Sequence, residues 1–86
     1  MTDRQVLPRT REIAGATLTV STSGGYSVLY EGVYIGYIHA SFGDRWNAYV
    51  RRVRALDDYL GKLGQEEAVR RIIGAYRGNA GEKAVA

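Results

Sequence analysis

An α+β fold, a small antiparallel β meander of about three to five strands packed against one C-terminal α-helix, is predicted by three observations. Apolar and polar residues alternate between Ala16 and Val20, the period of a half-buried strand. Glycine-bearing pairs follow at Gly24-Gly25 and Glu31-Gly32, where tight turns need positive φ. From Gln65 to Arg77, Ala68, Val69, Ile72, Ile73 and Tyr76 share one helical face.

Taken in order, residues 1–12 are polar and basic, contain Pro8 and show no period, so they read as a flexible basic arm. Ala16, Leu18 and Val20 alternate with Thr17 and Thr19, forming the first strand. After the Ser23-Gly24-Gly25 turn, Tyr26 to Tyr30 returns, and Glu31-Gly32 turns the chain into the strand Val33 to Ala40. Ser41-Phe42-Gly43-Asp44 makes the next turn.

Residues 46–63 admit two readings. Trp46, Tyr49, Val53, Leu56, Leu60 and Leu63 are spaced 3, 4, 3, 4, 3, a helical stripe that would give hairpins followed by two helices. Arg54 with Asp58 and Asp58 with Lys62 would then form i,i+4 pairs. As two strands, Trp46, Ala48 and Val50 face one way and Arg45, Asn47, Tyr49 and Arg51 the other, and residues 59–63 pair back. In the final helix, Glu66 and Glu67 precede Arg70 and Arg71 by four, and Gly78 stands where a C-terminal cap belongs. Residues 13–78 are thus expected to form one domain and 79–86 a polar tail.

With 86 residues, the chain has room for a single domain with one small core, burying roughly 60% of its unfolded surface. Apolar residues make up 45% and charged residues 24%, proportions of a globular domain. The net charge of +3 suits a polyanionic partner and equally an ordinary soluble surface. There is no cysteine, which excludes disulfides and thiolate metal sites and fits a reducing compartment. MTDRQVLPRTRE has no apolar segment of signal length, and no stretch approaches the ~20 apolar residues of a membrane span, so a cytoplasmic protein away from membranes is expected.

No pattern suggests catalysis. His39 is the lone histidine and has no ligand-spaced partner, so neither a metal nor another cofactor is expected. Ser41 and Asp44 near it lack a strand-to-helix nucleophile elbow. Glu66 and Glu67 diverge on a helix and serve better as partners of Arg70 and Arg71. GKLG at 61–64 is similar to the GXXG loop of KH domains, but a following strand is missing and Leu63 is apolar. No small-molecule substrate is expected.

RWNAYVRRVR, residues 45–54, is the strongest functional signal. Arginine binds guanine edges or phosphates bidentately, asparagine pairs with adenine, and a β-ribbon fits the major groove. The bland alternative is the charged outer face of an antiparallel sheet. The candidate DNA-contacting residues are Arg45, Asn47, Tyr49, Arg51, Arg52 and Arg54, while Trp46 shares parity with Ala48 and Val50 and belongs to the core. Tyr26, Tyr30, Tyr34 and Tyr37 are too many for so small an interior. A tyrosine-rich face suits protein contacts as well, so the rival expectation is a module that binds a partner protein or a second copy of itself.

GVYIGYI, RWNAYV and YLGKLGQEEAVRRI, taken as a set across about residues 32–77, resemble the three-stranded-sheet-plus-helix DNA-binding domains of the plant ethylene-response-factor class. They are also similar to the arm-binding domains of tyrosine integrases and to uncharacterised small proteins of actinobacteria and their phages. The resemblance implies that the tryptophan and leucine-glycine segments are strands. It also implies that Arg45, Asn47, Tyr49 and Arg51 lie on the open sheet face that reads the major groove of double-stranded DNA. Two departures stand out: Gly64 replaces the usual Thr or Ser before the helix, and the strand from Ala16 to Val20 is additional. The combined expectation is a small, non-enzymatic DNA-binding accessory or regulatory protein.

Overall fold

In the computed structural model, which describes residues 9–22, 24–53 and 55–85, six strands precede one helix. They are β1 (Thr10–Ile13), β2 (Ala16–Thr22), β3 (Gly25–Tyr30), β4 (Val33–Ala40), β5 (Trp46–Val50) and β6 (Asp58–Leu63), followed by α1 (Gln65–Val85). The strands form one sheet in chain order, every neighbouring pair antiparallel. This all-hairpin α+β meander agrees with the expected class but exceeds the expected three to five strands. No helix of the described residues is long and apolar enough to cross a membrane.

The turns follow from local backbone chemistry. Glu31 and Gly32, at φ 52° and 81°, link the paired residues Tyr30 and Val33. Positive φ at both central positions makes the type I′ turn whose twist matches flanking strands. Ala14 and Gly15, at 54° and 86°, do the same between Ile13 and Ala16. In the β4–β5 loop, Arg45 N donates to Phe42 O and Ser41 N to Arg45 O, which closes the connection.

One sheet face is apolar and carries α1. Ala16, Leu18, Tyr26, Val28, Ile35, Ile38, Ala48 and Val50 are buried with Ala68, Val69, Ile72 and Ile73 of the helix. Trp46 packs against this core, its ring 5.9 Å from that of Tyr26, as its parity predicts. A β-bulge at Ile35 shifts the β3–β4 register, so Gly36 rather than Ile35 lies opposite Val28. A Cβ on Gly36 would fall on the Tyr49 carbonyl oxygen and 2.7 Å from Ile72 Cγ2. Glycine there lets the helix approach the sheet.

Several expectations are corrected. Thr10 to Glu12, assigned to the arm, belong to β1; this edge strand exposes all three and turns only Ile13 inward, so it shows no alternation. Residues 1–8 lie outside the described residues. The described residues of 46–63 form two strands, β5 and β6, and loop residues between them, so among them the second helix of the alternative reading is absent. Its apparent stripe mixes sources: Trp46 and Leu63 are cross-strand partners, Tyr49 lies on the other face, and Val53 and Leu56 are loop residues 68% and 89% exposed. The helix also continues through Gly78 and the segment expected as a polar tail, to Val85. One interior glycine costs only about 1 kcal/mol and does not by itself end a helix.

Candidate nucleic-acid interface

Because α1 packs on β4, β5 and β6 from one side, no element of the described residues covers the opposite face of these strands. Register arranges that face in cross-strand rows. Tyr37, Tyr49 and Tyr59 are successive partners across β4, β5 and β6, and His39, Asn47 and, opposite it, Lys62 form the adjacent row. Arg45, two residues before Asn47, continues the same side toward the β4–β5 turn and is exposed.

The tyrosine row is internally packed. Tyr37 stacks on Tyr49 with centroids 4.9 Å apart and planes 15° from parallel, and Tyr49 meets Tyr59 at 5.2 Å and 48°. His39 contacts both Tyr37 and Tyr49 edge to face. Such cross-strand aromatic pairs stabilise a sheet by roughly 0.2–1 kcal/mol each. Because Tyr49 has a ring on either side, the row presents ring edges more than faces. Tyr37 donates its hydroxyl proton to Asp57 Oδ2 at 2.9 Å. Burial first, and then the hydrogen bond and charge of Asp57, push its pKa up to about 12.

The six expected contact residues divide. Arg45, Asn47 and Tyr49 come together on the open face. Tyr59 Oη donates to Asn47 Oδ1 at 2.9 Å. Arg51 sits at the far end of the face, its guanidinium 4.3 Å over the Tyr34 ring and hydrogen-bonded to Tyr34 O. Arg52 is committed elsewhere, bridging to Asp58 Oδ2 at 2.9 Å while its backbone N–H donates to Asp57 Oδ1. Arg54 lies outside the described residues. Asp58 pairs with Arg52, the expected Arg54–Asp58 pair involves a residue outside the described ones, and Glu66–Arg70 and Glu67–Arg71 form as expected.

Two residues join the face that linear reading missed, His39 and Lys62. Their signal is cross-strand register opposite Asn47, which becomes visible only once both β4–β5 and β5–β6 are aligned. Among the described residues, neither Arg45 nor Lys62 has a carboxylate partner. These two cations stand toward the β4–β5 turn, which also carries Asp44, while Asp57 and Asp58 stand at the other end with Arg51 and Arg52. No family model, no curated protein and no solved structure matches the chain.

Proposed function

We propose that the protein is a non-enzymatic, double-stranded DNA-binding accessory or regulatory protein, and that the uncovered face of β4, β5 and β6 is its binding surface. The observation that carries this reading is the row His39, Asn47, Lys62, with Arg45 beside it: two cations, Lys62 and Arg45, without an ion-pair partner among the described residues, stand next to an amide on an antiparallel ribbon opposite the helix. Cations of this kind neutralise phosphates, while an amide can address a base edge. The resemblance of residues 32–77 to sheet-based DNA readers supports the same use of this face. The contact set differs from the one expected from sequence, because Lys62 joins Arg45 and Asn47 and Arg52 is tied to Asp58.

Fluorescence anisotropy of a labelled random duplex tests the reading. Two phosphate contacts, from Arg45 and Lys62, give a slope of log K on log salt of about −1.8, a loss of roughly 12-fold between ~50 and ~200 mM. Converting Arg45 and Lys62 together to glutamate should abolish most binding, whereas Arg70→Glu on the helix should change it little. No binding of the unmodified chain at the lower salt rejects the proposal.

A second reading, capture of a partner protein or a second copy, is favoured by one observation. Val33, Tyr34, Val53 and Leu56 are all exposed at the Arg51 end of the molecule, and an apolar surface of this kind with tyrosine and arginine is characteristic of protein contacts. Under that reading, Leu56→Ser and Tyr34→Ser disrupt an association that Arg45→Glu leaves intact.

A further inference from the structure

His39 is the single histidine of the chain, and it stands exposed on the uncovered face of β4. Its ring is set edge to face against Tyr37, with centroids 5.7 Å apart, and against Tyr49 at 6.4 Å, so two neighbouring rings fix where the imidazole stands. Among the described residues its side chain makes no hydrogen bond and no ion pair. The ring nitrogens are therefore free to meet a ligand on the face that carries Asn47 and Lys62.

The groups around His39 come from every neighbouring element. β3 offers only Gly25 at the paired position, β4 the Tyr37 phenol, and β5 the Tyr49 phenol and the Asn47 amide. The Lys62 ammonium of β6 lies beyond Asn47, and the β4–β5 turn carries Asp44 and Arg45. Two strand spacings, about 10 Å, separate the backbones of His39 and Lys62, so one polyanion can lie across both. Neutral imidazole offers such a ligand one N–H and no charge, whereas imidazolium offers two N–H groups and a full charge. A bound phosphate and a proton on His39 thus favour one another, and the coupling is reciprocal. Histidine is the side chain whose charge ordinarily changes between about pH 5 and pH 8. With no cysteine and no second histidine, no other side-chain type in this protein ordinarily titrates in that window.

We infer that His39 is a third phosphate contact, gained together with a proton: the face binds a duplex through two cations when the imidazole is neutral and through three when it is charged. The inference rests on the duplex-binding reading of this face and makes that binding stronger as pH falls.

The test is anisotropy of a labelled random duplex between ~50 and ~200 mM salt, at about pH 8 and about pH 5.5, with Trp46 emission checking that each protein is folded. The unmodified chain should show a slope of log K on log salt of about −1.8 at the higher pH and about −2.7 at the lower, as one phosphate contact is added. His39→Gln should hold about −1.8 at both, and His39→Lys, with a permanent charge, about −2.7 at both. A slope in the unmodified chain that is the same at the two pH values, or a pH dependence that survives in His39→Gln, would overturn the inference while leaving duplex binding in place. Failure of the unmodified chain to bind the duplex at either pH would instead remove the duplex-binding reading, and the inference with it.

Discussion

Glu31 occupies φ 52° ahead of Gly32 at 81°, a conformation that costs an L-residue with a Cβ roughly 1–2 kcal/mol, and less for asparagine, whose short amide hydrogen-bonds locally. The residue is exposed, and nothing else in the fold needs its carboxylate: among the described residues it makes no ion pair. Glu31→Asn should therefore stabilise the protein by about 0.5 kcal/mol, read as a higher denaturant midpoint at unchanged m-value. Tyr37 gives a second prediction. Its pKa is raised from 10.0 to about 12, so the neutral phenol is favoured by folding. Its stabilisation is complete below pH 10 and is lost as pH rises toward 12. Over that window the unmodified chain should lose stability more steeply than Tyr37→Phe. Asp57→Asn should lower the pH at which this phenol ionises, because both the accepted hydrogen bond and the carboxylate charge oppose the phenolate. Equal pH slopes in the two proteins would contradict the assignment.

At the scale of elements, the approach of α1 to the sheet is set at Gly36. A methyl there has no room between the Tyr49 carbonyl and Ile72. Gly36→Ala should therefore cost about 1–3 kcal/mol through displaced helix packing, measurable by thermal or chemical unfolding. The elements differ in how legible they were. The strands from Ala16 to Tyr30, the Glu31-Gly32 turn and the Glu–Arg pairs of α1 could all be read directly, because each is a local pattern set within a few residues. β1 could not, since an exposed edge strand needs no apolar alternation. The 46–63 segment misled because two strands and a loop happened to place apolar residues at helical intervals; the resemblance, not the period, indicated strands there. The candidate face was half legible. Parity alone puts Arg45, Asn47 and Tyr49 on one side, but His39 and Lys62 reach it only through register, and Arg52 is withdrawn by an ion pair across a loop that sequence spacing does not reveal.

At the scale of the whole molecule, the described residues form a sheet with a single helix, so among them one sheet face is buried and the other open. Arg11 Nη1 donates to Gln65 Oε1 across 54 positions, joining the first strand to the start of α1. On the open side, Arg45 and Lys62 stand beside His39 and Asn47 without an ion-pair partner among the described residues, while Asp57 and Asp58, where β6 begins, are engaged by Tyr37 and Arg52. On the proposed DNA-binding reading, the duplex meets the β4–β5 turn end, across the row that carries Asn47. This placement is the central claim, and amide chemical-shift mapping during titration with a short random duplex at ~50 mM salt tests it most directly. The account predicts perturbations concentrated at His39, Asn47, Tyr49, Tyr59 and Lys62, with Ala68 to Ile73 of the helix unmoved. Perturbations centred on the helix or on residues 53–56, or none at all at that salt, would contradict it.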